Sequence, residues 1–323
     1  MRTLTTLNPP AWQDGCPASP GSQKHPTNFM DPLILGFAVV NGLLIGGIYG
    51  GVALGLSLIF GVLRVVNFAH GSLLMVSLYA TYWLQALAGI DPYVSALFTV
   101  PLLFCIGYVI QRVVIAPLIR RESALVVEPL SALLLTAGVY LVIDNLALMA
   151  FGPDVRSASS SLDMPPLMLG PIPVNMQRFI GFSAAILTAI ALVVWLRQTR
   201  MGRAIRATAQ NRDAAALSGI DVPMIYAVTF GIGVALLGLF GALLATFIPI
   251  TPNVGLSFGI RSFIIVVLGG IGSIPGSILG GLIIGVFEAI ASQFVPATSA
   301  AILSLGLFVL ILLVRPGGLM GKL

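Results

Sequence analysis

The chain is poor in charge, cysteine and histidine. Asp, Glu, Lys and Arg together make up 8% of its 323 residues, whereas about a quarter of the residues of a water-soluble domain are charged. Its two cysteines, Cys16 and Cys105, have no paired spacing, which excludes a disulfide framework, a zinc site and a dithiol redox motif. The two histidines, His25 and His70, form no metal-binding pair. The Gly-rich run at 269–276 contains no lysine, and no G-x-x-x-x-G-K-[ST] occurs anywhere. The chain therefore has no phosphate-cradling loop and cannot itself be an ATPase. No paired acid and base stands out, and no covalent chemistry is indicated.

What is abundant is apolar. Hydrophobic residues make up 58% of the chain and mean hydropathy is +1.04, in runs separated by short Gly, Pro and Arg punctuation. This is the composition of a polytopic integral membrane protein. Lipid offers no partner to a bare peptide group, so each span must satisfy its own backbone, and the expected fold is an all-α helical bundle. The net charge of +5 does not point to nucleic acid, because the basic residues flank apolar spans, where topology explains them. Residues 1–30, rich in proline and without an apolar core, read as a disordered tail rather than a signal peptide. Met30 directly precedes the first apolar run, and a translation start there is expected. Residues 31–323 read as a single transmembrane domain.

Windows of the roughly 20 residues needed to cross a bilayer place spans near 43–60, 71–88, 95–116, 131–150, 179–196, 226–248, 259–273, 276–294 and 299–314. The run at 33–41 reads as an additional interfacial turn, and the seventh span as a half-helix or re-entrant segment, giving eight to ten membrane segments. With nine crossings and an external N-terminus, one side receives Arg64, Arg112, Arg120, Arg121, Arg197, Arg200, Arg203, Arg206, Arg212, Arg315 and Lys322, eleven of the sixteen Lys and Arg. The other holds Arg2, Lys24, Arg156, Arg178 and Arg261. The first side is therefore cytoplasmic. The long loop at 151–178, with five prolines, falls outside, either to dock an external partner or to cover the bundle.

Few polar side chains lie in the apolar matrix. A carboxylate at the position of Glu288 costs at least about 2.5 kcal/mol unless it pairs or reaches water, so it marks either a pathway or an interhelical bond. Asn67, Phe68, Ala69, His70 and Gly71 join the first two spans and read as a helix break, whose unwound backbone and helix end present oriented dipoles. A plain turn capped by Asn67 is the alternative. Asn41, Asn67, His70, Gly71, Asn145 and Glu288 are the candidates for a translocation path. Small residues every four positions allow close helix approach: Gly42, Gly46 and Gly50; Gly47, Gly51 and Gly55; Gly272, Gly276 and Gly280. Two Gly-rich broken regions, early and late, hint at an inverted repeat.

The segment 201–220 reads as one short cytoplasmic helix with arginines stepping by three and Gly219 placed to end it. Topology accounts for its arginines but not for Ala214, Ala215, Ala216 and Gly219. The sequences NFAHG at 67–71, RMGRAIRATAQNRDAAALSGID at 200–221, VLGGIGSIPGSILGG at 267–281 and RPGGLMG at 315–321 closely resemble the LivH-type permease subunits of bacterial branched-chain amino acid ABC importers. The resemblance covers 31–323. It implies a bacterial inner-membrane permease that pairs with a LivM-like second permease subunit, two cytoplasmic ATPase subunits and a periplasmic substrate-binding protein. ATP and Mg would be held by the ATPases, with no cofactor in this chain. It further implies that the loop at 197–225 couples to an ATPase through Gly202, Arg203, Arg206, Ala214, Ala215 and Gly219. Related permeases carry urea or short amides on the same scaffold, and an ion-coupled carrier or channel is the reading of another class. The chain departs from the family at Gln111, Arg112, Ala116 and Pro117, where relatives are more charged, and in the tail before Met30.

The orientation is testable with single cysteines introduced after Cys16 and Cys105 are replaced by serine. A cysteine at Arg203 is expected to react with an impermeant maleimide only in inverted vesicles, and one at Ser157 only from outside intact cells. The opposite pattern overturns the topology.

Overall fold

A computed structural model describes residues 32–117, 130–160 and 165–321. The tail at 1–30, together with Arg2, Lys24, Arg120, Arg121 and Lys322 of the charge count, lies outside the described residues. The helices are α1 (Pro32–Leu63), α2 (His70–Ala88), α3 (Pro92–Val109), α4 (Leu130–Phe151), α5 (Met176–Gln198), α6 (Arg200–Gln210), α7 (Arg212–Leu217), α8 (Val222–Leu244), α9 (Val254–Gly269), α10 (Ile274–Ala291) and α11 (Ala297–Val314). α3 continues into a π-helical turn, Ile110–Ile115, and a hairpin of β1 (Leu167–Leu169) and β2 (Ile172–Val174) precedes α5.

Six of these helices are long and apolar enough to cross a membrane, and α9 and α11 are shorter apolar helices. With α2, they make nine segments in the expected order. The run at 33–41 is not a separate interfacial turn: it continues into α1, a 32-residue helix about 48 Å long at 1.5 Å per residue. Nothing between Pro32 and Leu63 is a helix stop, since glycine costs only about 1 kcal/mol in a helix interior and close packing offsets it here. Local sequence fixes most helix starts. Asp91, Asn175, Thr199, Asn211, Asp221 and Ser273 each cap the following helix by accepting from a first-turn backbone N–H, the role their short polar side chains favour.

α1 is the central element, packed against α5, α8, α9 and α10. Its α10 face is Gly42, Gly46 and Gly50, where backbone meets backbone. A Cβ on Gly46 would stand 2.5 Å from the Gly281 carbonyl oxygen, and one on Gly285 would stand 2.3 Å from the Gly46 Cα. The second series turns toward other helices. Gly47 receives the Phe182 ring of α5, Gly51 the Phe240 ring of α8, and Gly55 the Gly233 carbonyl. The series Gly272, Gly276 and Gly280 does not act as one stripe. Gly272 lies between helices with φ 77° against Gly61, while Gly276 and Gly280 face Gly269 of α9. The glycines of α10 that meet α1 are Gly281 and Gly285.

Helix ends sort into two sets by contact. On the side assigned as outer, Arg156 and Ile250 exchange backbone hydrogen bonds of 3.0 and 2.8 Å, Gln85 donates to the Ser159 carbonyl, and Ser160 donates to Asp91 at 2.8 Å. The described part of the loop after Phe151 thus lies on the bundle and covers it. On the opposite side, Gly61 meets Gly272 and the N–H groups of Leu319 and Met320 donate to Leu268 and Gly269.

Substituting Gly281 with leucine forces α10 away from α1. Overpacking of this kind costs typically 1–3 kcal/mol, and more where only backbone is available to yield. Gly281→Leu is expected to lower the thermal midpoint of detergent-purified protein well below that of Gly306→Leu, since Gly306 has nothing within 4 Å of a built Cβ. Equal midpoints for the two variants would contradict the packing.

Candidate coupling and translocation sites

The cytoplasmic segment is two helices, not one. The chain is extended at Asn211 (φ −152°, ψ 108°), and the Asn211 side chain accepts from the N–H groups of Asp213 and Ala214, each at 3.0 Å. A short polar side chain that captures backbone N–H groups in this way competes with helix continuation, so α6 stops and α7 starts anew. Thr199 starts α6 by accepting from Gly202 N–H at 3.0 Å. Gly202 is buried against α5, where a Cβ would stand 2.5 Å from Leu196 Cα. Arg206 Nε donates to the Leu196 carbonyl at 3.1 Å, and Arg203 to the Gln198 carbonyl at 3.1 Å. Both arginines therefore satisfy carbonyls at the C-terminus of α5, where positive charge is favoured.

The exposed part of the segment is α7. Ala215 is buried, while Ala214, Ala216 and Gly219 are exposed. Gly219 has φ 82°, the left-handed conformation that ends a helix most easily without a side chain. Leu217 is 92% exposed and was not among the sequence candidates. A single leucine in a polar loop was the available signal. Between α7 and the bundle lies a cleft of about 490 Å³ bordered by Arg64, Asn211, Arg212, Asp213 and Tyr226.

The six path candidates do not converge. Asn41 donates to the Phe37 carbonyl at 3.0 Å and accepts from Arg178 Nη1 at 3.1 Å, near the outer end of α1. Asn145 donates to Leu141 one turn back at 2.7 Å on an exposed face of α4. Glu288 accepts from Arg261 Nε at 3.4 Å and from Ser304 Oγ at 3.1 Å. Arg261 is thus not a flanking charge of the outer surface. It lies inside α9, with its guanidinium 5.3 Å from the Tyr49 ring centroid and 6.0 Å from that of Phe258, and it neutralises Glu288 while the aromatic faces lend further stabilisation. This cluster ties α1, α9, α10 and α11 together.

Asn67, His70 and Gly71 do come together with α9. α1 ends at Leu63, and Arg64 takes the left-handed conformation (φ 55°) that reverses the chain. His70 Nε2 then lies 3.1 Å from the Val52 carbonyl, three helical turns back along α1, a rise of about 16 Å. α2 therefore begins beside the middle of α1, not at its end. From the other side, the segment after Leu244 returns so that α9 starts at the same place. A Cβ on Gly71 would stand 2.0 Å from the Gly255 carbonyl oxygen and 3.0 Å from Gly259 Cα. His70 is enclosed by this packing. Asn67 borders a cavity of about 210 Å³ with Leu56, Phe68, Leu256, Ile260 and Phe263.

Nine apolar helices among the described residues, two of which start within the bundle, and an arginine-rich helix pair on one side make this a multi-pass membrane protein. The family described as "Branched-chain amino acid transport system / permease component" matches residues 38–314. The chain is 33% identical over 303 residues to the high-affinity branched-chain amino acid transport system permease protein LivH of Escherichia coli K12, covering 87% of this chain and 94% of that protein. It is 31% identical to the corresponding permease protein BraD of Pseudomonas aeruginosa, covering 88% and 95%. A probable branched-chain amino acid transport permease protein LivH of Methanocaldococcus jannaschii is 30% identical, covering 72% and 73%. No solved structure matches. The chain belongs to the branched-chain amino acid transport permease family.

Breaking a buried ion pair from one side leaves an uncompensated charge and typically costs 3–5 kcal/mol, less here because both partners keep some exposure, 26% for Arg261 and 14% for Glu288. Arg261→Ala and Glu288→Ala are each expected to lower the thermal midpoint, and Arg261→Met with Glu288→Leu together by less than the sum of the two. Additive losses would show that the charges do not interact.

Proposed function

We propose that this protein is the membrane-spanning permease subunit of an ATP-driven importer of leucine, isoleucine and valine in a bacterial inner membrane. It forms the translocation path with a second, LivM-like permease subunit. Two cytoplasmic ATPase subunits bind ATP and Mg and drive it, and a periplasmic binding protein delivers substrate. The observation that carries this reading is the family likeness over 87% of the chain, with a family match at 38–314 that leaves out only the first residues of α1.

The coupling role falls to α6 and α7. α6 is fastened to the end of α5 through Gly202, Arg203 and Arg206, so a load applied to α7 is passed to a membrane helix rather than lost in a loose loop. α7 offers Ala214, Leu217 and Gly219 outward, small or apolar groups that an ATPase groove can take up. An ion-coupled carrier needs titratable groups free to exchange ions within the membrane. Here Glu288 is paired with Arg261, which weighs against that class.

Leu217→Glu tests the coupling surface without a folding penalty, because the side chain is solvent-exposed. Burial of a leucine at such an interface contributes roughly 2 kcal/mol, and a charge there adds repulsion. With the complete set of subunits expressed, the substitution is expected to reduce co-purification of the ATPases and leucine uptake at least about tenfold, at an unchanged amount of permease in the membrane. Normal ATPase retention would place the coupling surface elsewhere.

A further inference from the structure

We propose that the cavity at the meeting of α2 and α9 is a subsite of the path that takes the carboxylate end of a small aliphatic amino acid, with Asn67 as its side-chain donor. This rests on the importer reading and adds to it a place and a chemistry.

Three observations carry the proposal. The first is Asn67 itself, 4% exposed and bordering the cavity. Its Oδ1 accepts from Ala69 N–H at 3.1 Å, which fixes the amide so that Nδ2 is the remaining group. Nδ2 is buried without a hydrogen-bond partner. A buried amide donor left unpaired costs on the order of 1–3 kcal/mol, a cost that an acceptor in the cavity removes. The second is the pair of helix starts. α2 and α9 are among the helices with no side-chain cap, and their first turns abut at Gly71 and Gly255. Helix N-termini carry partial positive charge and unpaired N–H groups, and Gly255 and Leu256 of the first turn of α9 border the cavity.

The third is the shape of the rest of the cavity. Leu56, Leu256, Ile260 and Phe263 form an apolar wall, and the volume of about 210 Å³ is small beside the 300–1,000 Å³ typical of drug-sized ligands. The Asn67 amide and a helix start at one end, against an apolar wall, match a zwitterion with a short hydrocarbon side chain. Tyr140 of α4 also borders the cavity, and Glu288 is held by Arg261 and Ser304.

The test uses the complete transporter in cells and measures labelled leucine uptake at pH 8. Asn67→Asp keeps the oxygen that Ala69 N–H donates to and replaces the Nδ2 donor with an oxygen. A merely structural Asn67 therefore tolerates the change, whereas a carboxylate donor does not. The maximal uptake rate is expected to fall at least about tenfold, in line with loss of a hydrogen bond to a charged group. The half-saturating leucine concentration, set by the soluble binding protein, is expected to stay within about twofold. Ile260→Trp, at a half-exposed position on the cavity wall, is expected to lower the rate similarly, and it decides the matter alone if Asn67→Asp reduces the amount of protein in the membrane. Wild-type uptake rates in both variants, or in Ile260→Trp where it decides alone, overturn the subsite. Absence of leucine uptake in the wild type instead overturns the importer reading.

Discussion

Contact between α1 and α10 at backbone distance is the constraint on which the remaining architecture rests. Lipid removes the hydrophobic drive between helices, so association depends on how many atoms can touch. Gly42, Gly46 and Gly50 on one helix, with Gly281 and Gly285 on the other, bring peptide groups together with no side chain between them. The opposite faces of α1 then take the Phe182 and Phe240 rings into the notches at Gly47 and Gly51. One helix with glycine on several sides can hold α5, α8 and α10 at once. That leaves room for α2 and α9 to begin inside the bundle.

Two polar clusters inside the bundle join different helices. Arg261 and Glu288 satisfy each other, with Ser304 and the Tyr49 ring completing the set. Ser77 and Thr99, from different helices, both donate to the Gly238 carbonyl, at 3.0 and 2.9 Å. Asn67 Nδ2 is one of several buried polar atoms without a partner, with Ser57 Oγ, His70 Nδ1 and Thr229 Oγ1 among the others, and it is the one that borders the cavity between α2 and α9.

Much of the fold was legible in the sequence because the bilayer imposes a one-dimensional rule. Hydropathy located nine segments. The break at 67–71 was visible from its polarity. What could not be read were relations between distant segments. Arg261 resembled a flanking charge because its partner is 27 residues away, and its position along α9 becomes clear only once Glu288 is beside it. The depth at which α2 begins depends on the reversal at Arg64, a non-glycine residue that carries no turn signal. Gly276 and Gly280 do pack closely, against α9, but the contact of α10 with α1 was not read, since Gly280 and Gly281 are adjacent in sequence and face different helices. The break at Asn211 was missed because arginine and alanine on both sides favour a continuous helix, and only the captured N–H groups reveal the competing cap.

The glycine contacts also limit how this protein can change over evolution. In an ordinary core, a residue that grows can be accommodated by a neighbour that shrinks, so pairs of positions drift together and sequence diverges while volume is kept. At Gly46 and Gly281, each residue faces a partner with no side chain to surrender. Compensation by a second substitution is unavailable, and these positions are fixed singly rather than in pairs.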